Sequence, residues 1–173
     1  MTAPLSHDHP LHRLFRGLTE HTFLAELGIG DPSLVGYVSD LLVRFVPSGN
    51  VWRVRDRQGR VLTEVVTMLA EAEASEDDDR RRDCYRHVGD FTLFWTGVFP
   101  ESLGAGQTSA RLVEYQRQGK RSYLLASTFE GEAAPVLRRL SVEFELCAFG
   151  LSRVRKEWER LEPPPGTSAR LIA

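Results

Sequence analysis

The chain has 173 residues, 42% of them hydrophobic, and a formal net charge of −2. That is enough for one domain with a sizeable core, and the slight acidity speaks against a generalised nucleic-acid or membrane-surface binder, which would carry a basic surface. No run approaches the roughly 20 apolar residues of a membrane span, the N-terminal "MTAPLSHDHPLHRLF" lacks a signal-peptide run, and two cysteines are too few for a disulfide framework, so a cytoplasmic protein is expected.

Residues 1–10 are polar and read as a loose segment. His7, His9 and His12 offer imidazoles there, but on a mobile segment they have no fixed geometry for a metal. Leu11, Leu14, Leu18, Thr22 and Ala25 recur at helical spacing and predict a first helix over 11–27. Gly28 suits the position just past its end, where a left-handed backbone needs no Cβ. Asp31 then offers an N-cap, and Pro32 fits the first helical position. Leu34, Val38, Leu41, Leu42 and Phe45 form the stripe of a second helix, which "PSGN" at 47–50 ends.

The next stretch, "VWRVRDRQGRVL", reads as a basic loop leading into a third helix over 58–74. A small β-hairpin near 51–62 is the alternative, with its turn at 56–59. The charge run "SEDDDRRRD" reads as a helix start. Ser75 can cap, Asp78 completes a capping box, and the acids suit the positive end of the helix dipole. The arginines that follow sit three and four residues from those acids. A fourth helix continues to residue 98, where Pro100 and a glycine-rich loop end it.

A fifth helix is predicted over 109–129, with Gly119 inside it either weakening the helix or marking a close helix approach. The last helix carries Leu137, Leu140, Phe144, Cys147, Leu151, Val154, Trp158 and Leu161 at alternating threes and fours. That is a heptad seam. Val142, Leu146 and Phe149 form a second apolar stripe on the other side of its middle. A helix apolar on two sides is central in the fold or shared with another subunit. "EPPPG" stops it, and the tail "TSARLIA" follows a stiff proline spacer, from which it could dock on a partner protein.

The stretch "CYRHVGDFTLFWTGVFP" at 84–100 holds the most suggestive chemistry. Cys84, His87 and Asp90 are one helical turn apart and therefore neighbours. A metal would need further ligands from other helices, and His21 and Glu143 are candidates. No Glu-x-x-His pair of a di-iron bundle, no zincin His-Glu-x-x-His and no haem-attachment motif is present. The competing reading is a buried polar group satisfied by His87, or by an arginine or tyrosine from a neighbouring helix. "GAGQTSA" at 104–110 lacks the lysine and the spacing of a phosphate loop. Trp52 with Arg53, Arg55, Arg57 and Arg60 has the composition of a nucleic-acid contact, but no recognition motif frames it.

The expected fold is therefore all-α, a bundle of about six helices over 11–162 with the C-terminal helix as its spine. The expected function is self-association as a protein-interaction module, a homodimer, with Phe144, Cys147, Phe149, Leu151 and Trp158 as interface candidates. The alternative is a metal- or cofactor-binding bundle, an enzyme being one form of it, built on His87 and Asp90 with Cys84, His21 and Glu143. The balance is toward no resident cofactor, a metal ion being next in order, and toward neither a membrane nor a nucleic acid as partner.

Overall fold

The computed structural model describes residues 10–45, 58–103, 108–129 and 131–161. Those residues form an all-α bundle without strands. The helices are α1 (Pro10–Glu20), α2 (Pro32–Phe45), α3 (Gln58–Ala74), α4 (Asp78–Val98), α5 (Thr108–Ala126), α6 (Ala134–Val142) and α7 (Phe144–Leu161). The third helix starts at Gln58, so the hairpin alternative does not hold over 58–62, and its remainder, with Trp52, Arg53, Arg55 and Arg57, lies outside the described residues. His7, His9 and the tail at 163–173 lie outside them too.

His12 does not belong to a loose segment. It is buried on α1, with Nε2 3.4 Å from Asp40 Oδ1 on α2. The end of this first helix widens into a π-turn, His21–Glu26. Leu27 N–H donates to the Thr22 carbonyl at 3.1 Å and Ile29 N–H to that of Phe23 at 2.7 Å. Gly28 between them has φ +67, the left-handed closure that glycine adopts without strain. Asp31 then caps α2 by accepting from Ser33 N–H at 2.9 Å.

The cap of α4 differs from the sequence expectation. Asp77, extended at φ −89 and ψ 114, accepts from Asp79 N–H at 3.0 Å. Ser75 instead accepts from Asp77 N–H at 3.2 Å and shapes the turn before the helix. The arginines behind the acids pair as the spacing predicts, Arg81 with Asp78 and Arg82 with Asp79.

Every residue of α4 from 88 to 98 is buried. The central place expected of the C-terminal helix is thus shared with α4, which is enclosed on all sides in this half. Phe91, Phe94 and Trp95 pack with Phe45 and Phe99 in edge, tilted and stacked contacts. Thr92 and Thr96 survive among them because their hydroxyls turn back onto carbonyls of the same helix, Val88 at 2.7 Å and Thr92 at 2.8 Å. Helix α5 can lie close against α4 because of Gly119. A Cβ there would stand 2.4 Å from both the Phe144 ring and Thr92 Oγ1.

The single last helix of the sequence reading is two helices. The chain breaks at Glu143, φ −101 and ψ 24. The two halves serve different neighbours: α6 packs on α5 and α2, whereas α7 packs chiefly on α4 and α1. Arg139 fixes the bend by bonding both Glu143 and Asp31. The break interrupts little, since Glu143 N–H reaches the Arg139 carbonyl at 2.8 Å and Cys147 N–H reaches that of Glu143 at 2.9 Å. The seam runs on across it, with Leu137, Leu140, Phe144, Cys147, Leu151 and Val154 all buried. At the far end of α4, Arg155 of α7 donates to the Val98 carbonyl at 2.6 Å, pairs with Glu101 and Glu159, and lies over the Phe99 ring. A cation there satisfies an orphan carbonyl and complements the helix dipole.

Candidate functional site

Asp90 is the one carboxylate sunk into the described core, at 1% exposure. Its position follows from the helical period of α4, which puts it between Gly89 and the aromatic ladder and facing α2 and α5. Oδ1 accepts from the Tyr37 hydroxyl at 2.6 Å and from the Tyr123 hydroxyl at 2.8 Å. Oδ2 accepts from Arg44 Nη1 at 3.0 Å. Arg86, one turn before Asp90 on α4, donates through Nε to the Tyr37 oxygen at 3.0 Å. Gly89 makes room for this arrangement, because a Cβ there would lie 2.6 Å from the Tyr123 ring. Burial first, and then the charge of Asp90, push both phenols well above their ordinary range. Arg44 is held charged: burial works against it, and Asp90 together with the Tyr37 and Tyr123 phenols more than offsets that.

The network joins three helices and leaves Asp90 fully engaged. Of the polar partners considered for Asp90, the tyrosines and an arginine from neighbouring helices supply its hydrogen bonds, rather than His87. His87 is exposed and lies beside Phe45 and Phe91, ring centroids 6.2 and 6.5 Å away. Cys84 and His87 line an open groove of about 410 Å³ between α3 and α4, rimmed by Met68, Glu71, Asp77, Asp79, Arg80 and Asp83. The Cys84 thiol is raised, by burial first and then by Glu71 and Asp83, with Arg80 opposing. That suits a protonated thiol rather than a nucleophilic thiolate.

The remaining ligand candidates stand apart. His21 is exposed on the π-turn, and Glu143 is engaged by Arg139. Among the described residues, no group of three or more His, Cys, Asp and Glu side chains is arranged to hold a metal ion. Nor is any described helix long and apolar enough to cross a membrane.

The interface candidates divide by side. Phe144, Cys147 and Leu151 are enclosed in the chain's own core, and the Cys147 thiol is pushed up to about 12 by burial and then by Glu143. Trp158 meets Phe15 edge-on at 4.9 Å. Phe149 faces outward at 54% exposure, in line with Val142 and Leu146, which are exposed as well. Lys120 of α5 pairs with Glu145 at 2.8 Å beside this stripe, and Arg153 pairs with Glu26 at 3.0 Å one turn beyond Phe149.

Sequence reasoning did not single out Tyr37, Arg44, Arg86 or Tyr123. A faint signal exists for the first two: Tyr37, Leu41 and Arg44 share one face of α2 at spacings of four and three. Comparison with protein-family models, with curated protein sequences and with solved structures finds no match.

Proposed function

We propose that the chain is a self-associating protein-interaction module that forms a homodimer in the cytoplasm through the outward face of α6 and α7. The observation that carries this reading is the stripe Val142, Leu146 and Phe149, three apolar side chains spaced four and three residues apart across the α6–α7 junction and all exposed. A lone exposed apolar residue is ordinary, whereas an aligned stripe around an aromatic is what interfaces use. A second copy is the partner that the flanks favour. Lys120 with Glu145 and Arg153 with Glu26 put both signs of charge beside the stripe. A two-fold pairing brings each patch against its own copy, so mixed signs can complement themselves.

Magnitudes set the expected strength. Covering the exposed parts of the three side chains contributes about 1 kcal/mol each, roughly 6 kcal/mol for two copies. The loss of rigid-body freedom costs about 4 kcal/mol or more. The two are of one order, so the dimer is dissociable and depends on concentration. Light scattering across a concentration series tests it. The wild type should approach twice the chain mass as concentration rises, and Phe149→Asp should stay at one chain mass. A charge placed elsewhere, Arg117→Glu on α5, should change nothing. A wild type that stays monomeric at the highest concentration overturns the proposal.

A further inference from the structure

The charges around Asp90 do not cancel. One carboxylate faces two guanidiniums, while Tyr37 and Tyr123 are held in their neutral forms by burial and by Asp90. Among the described residues one positive charge is left over, and the hydrogen bonds locate it. Arg44 commits Nη1 to Asp90. Arg86 commits only Nε, and to a neutral hydroxyl. Its two terminal amino groups meet no acceptor among the described residues. The nearest acids before it on α4, Asp79 and Asp83, are engaged by Arg82. Both guanidiniums stand against the same ring, Arg86 at 5.2 Å and Arg44 at 5.8 Å from the Tyr37 centroid. Arg44 keeps 43% of its side chain exposed and Arg86 is partly exposed, so both reach the surface.

We propose that Arg86 and Arg44 form a binding site for a small oxyanion group, a phosphate or a carboxylate carried by a small molecule. A guanidinium presents paired N–H donors whose spacing matches two oxygens of such a group. The leftover single charge matches a monoanion. Tyr37 is a positioning residue. Its proton goes to Asp90 and its oxygen holds Arg86, so the fork is set before the anion arrives and less ordering cost remains. The site shares no residue with the α6–α7 stripe and stands or falls independently of dimer formation.

Amide shifts in two-dimensional NMR, read on the full chain at constant ionic strength, test this with two probes, inorganic phosphate and acetate. Saturable shifts around Arg86 and Tyr37 with either probe are expected. Phosphate alone assigns the site to a phosphate group, acetate alone to a carboxylate, and both to either ligand. Arg86→Gln leaves all three bonds to Asp90 in place, so it should fold and bind at least about tenfold more weakly. Arg86→Lys keeps the charge without the fork and should bind at an intermediate strength, which also covers the case of a glutamine variant that does not fold. Arg117→Gln, distant on α5, should bind as the wild type does. No saturation with either probe, or wild-type binding by the Arg86 variants, overturns the proposal.

Discussion

Asp90 and Phe149 are both in the wrong solvent, a carboxylate in the core and an aromatic ring in water. The first is resolved within the chain. Three donors from α2 and α5 converge on it, and the desolvation that would otherwise expel it is met by hydrogen bonds. The second is not resolved within the chain, for no described element covers the line from Val142 to Phe149. A polar group satisfied at home explains the fold, and an apolar stripe left uncovered points away from it. The two regions should therefore fail differently when altered.

The largest effect belongs to the buried side. Asp90→Ala strands two phenols and a guanidinium and should cost about 3–5 kcal/mol in urea unfolding. The lower end is expected, because Arg44 can turn its half-exposed head to water. A loss below about 1 kcal/mol would erase the contrast between the two regions, since surface positions cost no more than that.

Alkaline pH is the next probe. In the unfolded chain the phenols ionise near pH 10. In the folded chain Tyr37 and Tyr123 keep their protons to higher pH. Their contribution is thus fully present below about pH 10 and falls as pH rises beyond it, by up to about 1.4 kcal/mol per pH unit for each phenol. Urea midpoints measured on either side of that pH should show the decline, and Tyr123→Phe should make it shallower. A slope unchanged in the variant would show that Tyr123 is not held by burial and Asp90.

Glycines sharpen the same contrast at smaller scale. Alanine gains about 1 kcal/mol over glycine inside a helix. At Gly119 the new methyl meets Phe144 and Thr92, both fully buried, and overpacking of about 1–3 kcal/mol outweighs the gain. Gly119→Ala should lose about 1 kcal/mol net, whereas Gly17→Ala on the exposed face of α1, with open space around it, should gain about 0.5–1 kcal/mol. Thermal melts separate the two by sign. Smallest of all is the effect of Phe149→Asp on the single chain, expected within about 0.5 kcal/mol even where it abolishes pairing.

Local rules were legible wherever the answer is local. The cap at Asp31, the left-handed Gly28 and the helix over 58–74 all rest on residues within a turn of each other, and the structure has them as read. The close approach at Gly119 was marked by a glycine where helix propensity disfavours one. Partner choice was not legible. That Asp90 would be buried polar followed from its place beside the apolar stripe, but its donors lie 33 to 53 residues away along the chain. The break at Glu143 has no proline or glycine to announce it, and the backbone bonds on both sides persist. Periodicity also found both apolar stripes of the last helix without saying which one faces in. Phe144 is buried against Gly119 and Tyr123 of α5, and Phe149 on the other side is exposed, which no spacing records.

The bond from Arg155 to the Val98 carbonyl spans 57 residues. On a ribosome adding 5–20 residues per second, α4 is therefore made about 3 to 11 seconds before the side chain that finishes its end. During that interval Phe91, Phe94, Trp95 and Phe99 have only part of their cover. Nascent chains halted between α4 and α7 carry that aromatic ladder partly open, which makes the interval before α7 emerges the time when a chaperone has most to hold.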